Sequence, residues 1–161
     1  MKNHKKIAII GIGNLLMGDD GIGIHVVKEL VENRRMSIPQ GVEIYDGMTD
    51  SFLVLEQMEG ADKAIIIDAC DMNAKDPPGS IKKFKFKFDK DKDEEDFDSF
   101  NLSLHDFDIF NALRISKHTH ELPAEIIIVG VKPESIKYDM ELSPRLEKAV
   151  PEIIKIIFEE I

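Results

Sequence analysis

Cysteine and long apolar runs are both scarce in this chain. Cys70 is the single cysteine among 161 residues, so an internal disulfide and a zinc site made of cysteines are excluded. No apolar run approaches the roughly 20 residues that a membrane-spanning helix needs. The apolar stretch after the basic N-terminus is short and leads into a glycine-rich loop, so we interpret it as a first strand and not as a signal peptide. A reducing cytoplasm is the expected location.

Basic residues are also in the minority. The chain has 21 lysine and arginine residues against 31 aspartate and glutamate residues, which gives a formal net charge of −10. This balance argues against broad contact with nucleic acid or with an anionic membrane. The length and the 43% share of apolar residues predict one domain over residues 1–161 with a single hydrophobic core.

The chain alternates between strand-like and helix-like apolar patterns, which predicts a mostly parallel sheet covered on both faces. Residues 64–67 are continuously apolar, as is typical of a central strand. In residues 81–88 phenylalanine alternates with lysine, as is typical of an edge strand. We predict a three-layer α/β/α fold whose sheet has about five strands and an edge strand. The predicted strands are residues 6–10, 42–45, 64–67, 81–88 and 125–131, and the predicted helices are residues 22–33, 52–58, 103–116 and 143–160.

The loop after the first strand imitates a nucleotide-binding loop but carries the wrong charge. A dinucleotide fingerprint needs a third glycine where Leu16 stands, and a P-loop needs a lysine and a hydroxyl where Asp19 and Asp20 stand. Two carboxylates at the start of a helix would repel phosphate, whereas they suit a divalent cation. The simpler alternative is that Asp19 caps the following helix. A cap accounts for one aspartate and leaves the other without an explanation.

Further polar residues are predicted at the same end of the sheet, where open α/β sheets form their sites. Asp20 follows the first strand, Asp68 follows the third, and His105 lies in the first turn of a predicted helix. A helix N-terminus favours the neutral imidazole, which is the form that binds metal. Two carboxylates and one imidazole would make an open site for a divalent metal, although Asp68 alone could equally cap a turn. For Cys70 we predict a buried structural role.

Five segments of the chain form an ordered set of motifs: the glycine and aspartate loop of residues 11–23, Asp46-Gly47-x-Thr49, Ile67-Asp68-Ala69, Ser103-x-His105 and Val129-Gly130-Val131-x-Pro133-Glu134. Together they span nearly the whole chain and resemble the signature of the nickel–iron hydrogenase maturation endopeptidases. Met48 departs from the family pattern, since relatives often carry glycine at that position.

The resemblance implies an endopeptidase that removes a short C-terminal extension from a hydrogenase large-subunit precursor after nickel has been inserted. It implies that Asp20, Asp68 and His105 are the catalytic and metal-binding residues. The nickel would belong to the substrate and would be the recognition element, although another divalent metal could bind in vitro. The turn that contains Asp46, Gly47 and Thr49 is the expected substrate-binding element. Asp19 is a candidate general base.

Alternatives remain open from the sequence. The chemistry could use a metal-polarised carbonyl or a metal-activated water. A serine nucleophile is not expected, because the chain has no G-x-S-x-G motif. The same three ligands would also serve a non-catalytic nickel-binding assembly factor for the large subunit. A nucleotide-binding protein that uses the glycine loop is a third and weaker alternative.

Overall fold

The computed structural model describes residues 5–33, 35–87, 108–116 and 121–161. Its centre is a five-stranded sheet with the strand order β2-β1-β3-β5-β4. All neighbouring strands run parallel except β4, which pairs antiparallel with β5 at the sheet edge. The predicted mostly parallel sheet is therefore confirmed, with the edge strand as one of the five. The strands are β1 (Ile7–Gly11), β2 (Val42–Asp46), β3 (Lys63–Ala69), β4 (Ile81–Lys87) and β5 (Glu125–Val131).

Helices cover both faces of the sheet, as the alternating pattern predicted. The described helices are α1 (Ile22–Glu32), α2 (Ser51–Met58), α3 (Asp108–Ser116) and α4 (Pro144–Glu160). Residues of α1 and α4 pack on one face, and residues of α2 and α3 pack on the other. A short 3-10 turn, Gly18–Gly21, leads directly into α1. No described helix is both long enough and apolar enough to cross a membrane.

The central strand β3 shows why the fold has two apolar cores. Ile65 and Ile67 belong to the core beneath α1 and α4, whereas Ala64 and Ile66 belong to the core beneath α2 and α3. All of these side chains are fully buried. Because successive side chains of a strand point to opposite faces, a strand covered on both faces must be apolar at every position. The prediction that this strand is central is confirmed.

The edge strand β4 also agrees with its sequence pattern. Phe84 and Phe86 are buried, whereas Lys83 and Lys85 are exposed. Lys85 pairs with Glu125 at 3.1 Å, and Lys83 pairs with Glu160 near the end of α4. The lysines therefore cover the sheet edge with charge, which protects it from pairing with another chain.

A buried lysine lies at the amino end of β3, at the opposite end of the strand from Asp68. Lys63 is 5% exposed, and its Nζ lies 2.8 Å from Glu160 Oε2 and 2.9 Å from Glu125 Oε1. Burial would raise the pKa of Glu160, but hydrogen bonds and positive charge from Lys63 and Lys83 outweigh burial and lower this pKa to about 2. These ion pairs fasten the end of α4 to the sheet.

Candidate functional site

The candidate site lies at the carboxyl ends of β1 and β3, where the strand order reverses. The chain passes from β1 to β2 on one side and then crosses to β3 on the other. Such a reversal opens a crevice beyond the ends of the two strands, which is where α/β sheets bind ligands. Gly11 pairs with Ile67 at this end, and the next backbone N–H, that of Ile12, donates to Ile67 O at 2.8 Å. Asp68 directly follows this contact.

Two glycines let the first loop and α1 approach these strand ends closely. A Cβ atom on Gly13 would lie 1.9 Å from the backbone oxygen of Asp20, and Gly13 has a φ of 143°. A Cβ atom on Gly23 would lie 2.3 Å from the backbone oxygen of Ile67. Any side chain at either position would collide with backbone. The glycines therefore serve close packing in this structure, and they bring the backbone of Asp20 to the strand end that precedes Asp68.

The Asp20 carboxylate is held by the loop that contains it. Its Oδ2 accepts a hydrogen bond from the Asn14 backbone N–H at 3.0 Å, and the residue is partly exposed. Asn14 in turn accepts a bond from the Leu16 N–H at 2.9 Å through its side-chain oxygen. Sequence reasoning gave Asn14 no role of its own. Its position directly after Gly13, together with the tendency of asparagine to bond the backbone two residues on, is the signal that could have indicated one.

Asp19 has a different environment, although it is the neighbouring residue. It is 1% exposed, and its Oδ2 accepts hydrogen bonds from the backbone N–H groups of Glu134 at 2.9 Å and Ser135 at 3.1 Å. Its Oδ1 accepts a third from the N–H of Ser143 at 2.7 Å. Burial would raise the pKa of Asp19, but these backbone donors outweigh burial and hold the pKa below its ordinary value. The carboxylate thus joins the first loop to the segment between β5 and α4.

One expectation for Asp19 needs correction. It was expected to cap the following helix, but the N-cap residue of α1 is Gly21, and no side chain caps this helix end. The side chain instead bonds to a segment more than 100 residues away in sequence. The role of Asp19 as a general base stays a prediction. Its burial, its three N–H donors and its lowered pKa do not favour proton transfer from water, whereas Asp20 is partly exposed.

The turn after β2 lies beside the first loop. The Gly47 N–H donates to Gly11 O at 2.8 Å, and the Gly13 N–H donates to Met48 O at 2.8 Å. The Asp46 carboxylate accepts the Met48 N–H at 2.8 Å, which fixes the turn. Asp46 and Thr49 are exposed, and Gly47 is buried. The turn that is predicted to bind substrate therefore lies directly against the loop that carries Asp20.

Met48 has a left-handed backbone conformation. Its φ is 53°, and its side chain is 60% exposed. Left-handed φ values cost a residue with a Cβ about 1 kcal/mol or more, whereas glycine adopts them freely. This conformation gives a physical reason for the glycine that the family resemblance leads us to expect at this position. In this chain an exposed apolar side chain lies there, beside the first loop.

His105 lies outside the described residues. The described part of α3 starts at Asp108, three residues after His105, and packs on the same face of the sheet as α2. Among the described residues, no three histidine, cysteine, aspartate or glutamate side chains are grouped so that they could hold a metal. The set formed by Asp20, Asp68 and His105 therefore stays a prediction. Cys70 is 3% exposed and unbridged, in agreement with its predicted buried role.

Comparison with known proteins decides the family. Residues 24–160 match the family model HycI, hydrogenase maturation protease. The chain belongs to this family. It is 32% identical to the hydrogenase 2 maturation protease of Escherichia coli over 145 residues, which are 90% of this chain and 84% of that protein.

Solved structures agree with this family. The hydrogenase maturating endopeptidase HybD from E. coli superposes with a TM-score of 0.71 at 29% identity, covering 96% of this chain and 93% of that one. A hydrogenase 2 maturation peptidase from a Thaumarchaeota archaeon superposes with a TM-score of 0.69 at 29% identity, covering 97% of each chain. The predicted family, fold class and enzyme class, a hydrolase acting as an endopeptidase, are thus confirmed. The alternative of a non-catalytic assembly factor is not favoured.

Proposed function

We propose that this protein removes the C-terminal extension of a nickel–iron hydrogenase large-subunit precursor after nickel insertion. Membership of a protease family supports the reaction type. The observation that carries the proposal is the position of Asp20 and Asp68, which follow β1 and end β3 at the point where the strand order reverses. Such a crevice is open to a chain terminus presented by another protein.

The substrate's own nickel is the proposed recognition element. Asp20, Asp68 and His105 would contact the nickel while it is still held by ligands of the precursor. Three protein side chains leave coordination positions open, which suits a metal shared with a second protein. Cleavage would then depend on correct metal insertion, and the protease would act as a check on assembly. Another divalent metal could occupy the same ligands in vitro.

Two chemical routes fit these residues. The metal could polarise the scissile carbonyl, or it could activate a water for attack on that carbonyl. In both routes Asp20, and not Asp19, is the available carboxylate of the first loop, because Asp19 is buried and bonded to three backbone donors. Asp46, Gly47 and Thr49 form the wall on the β2 side, where they would contact the extension next to the scissile bond.

The partner and location follow from the same proposal. The partner is the large-subunit precursor, and nucleic acid and membrane are not expected partners, because the net charge is −10. We place the reaction in the cytoplasm. The single cysteine, buried and unbridged, is compatible with a reducing compartment.

The direct test is incubation of the purified protein with nickel-loaded precursor, followed by intact mass measurement. The proposal predicts loss of a mass equal to the C-terminal extension, with the rest of the precursor unchanged. Binding of the precursor without any change in its mass would instead support a non-catalytic assembly factor. The Asp20→Asn variant serves as the matched control, since it removes the charge and keeps the shape of the side chain.

A further inference from the structure

Large apolar side chains are exposed mainly at the end of the molecule that carries the candidate site. The described residues include nine exposed large apolar side chains. Three of them, Val31, Ile115 and Phe158, lie in the last turns of α1, α3 and α4. The other six lie in the loops and the first helical turn that follow the carboxyl ends of the strands, namely Leu16, Met48, Phe52, Ile136, Tyr138 and Met140. Such a concentration is typical of an interaction surface.

Four of these side chains form one group, here called the apolar rim: Leu16, Ile136, Tyr138 and Met140. Their exposed fractions are 47%, 54%, 80% and 64% respectively. The backbone of Asp139 pairs with the first loop, since its N–H donates to Leu16 O at 3.1 Å and its carbonyl accepts the Gly18 N–H at 2.7 Å. Leu16 is therefore next to the two residues that flank Asp139.

The buried carboxylate of Asp19 fixes the apolar rim in place. Its hydrogen bonds reach Glu134 and Ser135 at one end of the segment and Ser143 at the other. Ile136, Tyr138 and Met140 thus lie on a loop whose two ends are tied to one side chain of the first loop. A surface that is ordered before binding loses less conformational entropy on association.

Position and charge indicate what covers the apolar rim. Leu16 and Asp20 belong to the same loop, four residues apart, so the rim is continuous with the crevice. Between and beside the apolar side chains, Asp139 and Glu141 are exposed carboxylates and Lys137 is an exposed cation. A partner surface with an apolar centre and a basic border would complement this arrangement.

We propose that the apolar rim docks the body of the large-subunit precursor, next to the point where its C-terminal extension enters the crevice. The identity of this partner rests on the proposed function. A crevice that contacts a metal and a few peptide groups offers little area, whereas specific protein complexes bury roughly 1,200–2,000 Å². Tyr138, the one aromatic residue of the rim and its most exposed member, is the expected centre of the contact.

The test compares the Tyr138→Ser/Met140→Ser double variant with a matched Val31→Ser/Ile115→Ser control. The control removes two similarly exposed apolar side chains on α1 and α3. Dissociation constants for immobilised nickel-loaded precursor are measured by surface plasmon resonance, and kcat and KM are measured by intact mass. The rim variant should raise Kd and KM at least about tenfold while kcat at saturating precursor stays within about twofold. The control variant should match wild type in Kd, KM and kcat. The thermal unfolding midpoint should be unchanged in the rim variant and in the control variant.

Two outcomes would overturn the docking proposal. One is an unchanged Kd in the rim variant, and the other is an equal rise of Kd in the control. Failure of the proposed function has a different signature, because wild-type protein would then bind the precursor and leave its mass unchanged. In that case the rim can still be tested through Kd alone. If wild type cleaves the precursor but the rim variant binds it with the same Kd as wild type, the precursor docks on another surface.

Discussion

The Asp19 carboxylate accepts a hydrogen bond from the Ser143 backbone N–H at 2.7 Å, across 124 residues of sequence. This bond joins the loop after the first strand to the start of the last helix. The next residue, Asp20, bonds within its own loop to Asn14 and stays partly exposed. The two adjacent aspartates therefore differ in environment. Asp19 joins the first loop to the segment that precedes the last helix, and Asp20 is the partly exposed carboxylate that we propose to contact the substrate.

The Asp19→Asn variant should be destabilised. An amide replaces one acceptor oxygen with an NH₂ group, so at least one buried backbone N–H would face another donor. We expect a loss of about 1–3 kcal/mol in the free energy of unfolding, measured by urea titration. Asp139→Asn is the control, because Asp139 is exposed and accepts one local bond. Equal unfolding midpoints for wild type and Asp19→Asn would contradict the structural role given to Asp19.

The Asp20→Asn variant should keep its stability and lose its processing activity. Its side chain is partly exposed and accepts one backbone bond, so the free energy of unfolding should change by less than about 1 kcal/mol. Processing of nickel-loaded precursor should fall by at least about 100-fold, because the amide carries no negative charge for metal or proton transfer. Glu152→Gln, an exposed carboxylate on α4, is the matched control and should process normally. Normal processing by Asp20→Asn would remove Asp20 from the site.

Substitutions of Met48 should follow its left-handed backbone. Glycine adopts a φ of 53° without strain, so Met48→Gly should be neutral or stabilising by up to about 1 kcal/mol. A β-branched side chain tolerates this conformation poorly, and Met48→Ile should be destabilised. The thermal unfolding midpoint of Met48→Gly should therefore equal or exceed that of wild type, and the midpoint of Met48→Ile should be lower than that of wild type. The reverse order would mean that burial against neighbouring atoms outweighs backbone strain at this turn.

The ion pairs of Glu160 should make stability depend on acid pH. Its pKa is about 2 in the folded chain against an ordinary 4.5, so the folded state binds fewer protons than the unfolded state. The stabilisation is fully present above pH 4.5 and is lost as the pH falls from 4.5 towards 2. Over that range wild type should lose more unfolding free energy than Glu160→Gln. The neighbouring Glu159→Gln variant, with a mostly exposed side chain, should behave as wild type. Parallel pH curves for wild type and Glu160→Gln would contradict this account.

Much of the fold could be predicted from local pattern. The bounds of β5 agree with the apolar run that predicts this strand, and the alternation in β4 predicts which side chains are buried and which are exposed. Such patterns are visible in the sequence because a strand buried on both faces is apolar throughout, whereas a strand buried on one face alternates. The rule that open α/β sheets form their sites beyond the carboxyl ends of the strands likewise predicted that Asp20 and Asp68 lie at one end of the sheet. The partners of Asp19 could not be predicted. They are backbone N–H groups, which every residue has, and they lie far away in sequence. Nor does composition indicate that Met48 lies at a left-handed φ.

We propose that this protease cuts one partner and does so only after nickel insertion. The most direct measurement is a time course of intact masses for nickel-loaded precursor, nickel-free precursor and casein, each incubated with the same preparation. The account predicts removal of the C-terminal extension from the nickel-loaded precursor and no change in the other two proteins. Equal cutting of the nickel-free precursor, or digestion of casein, would contradict the account and indicate a protease without a metal checkpoint.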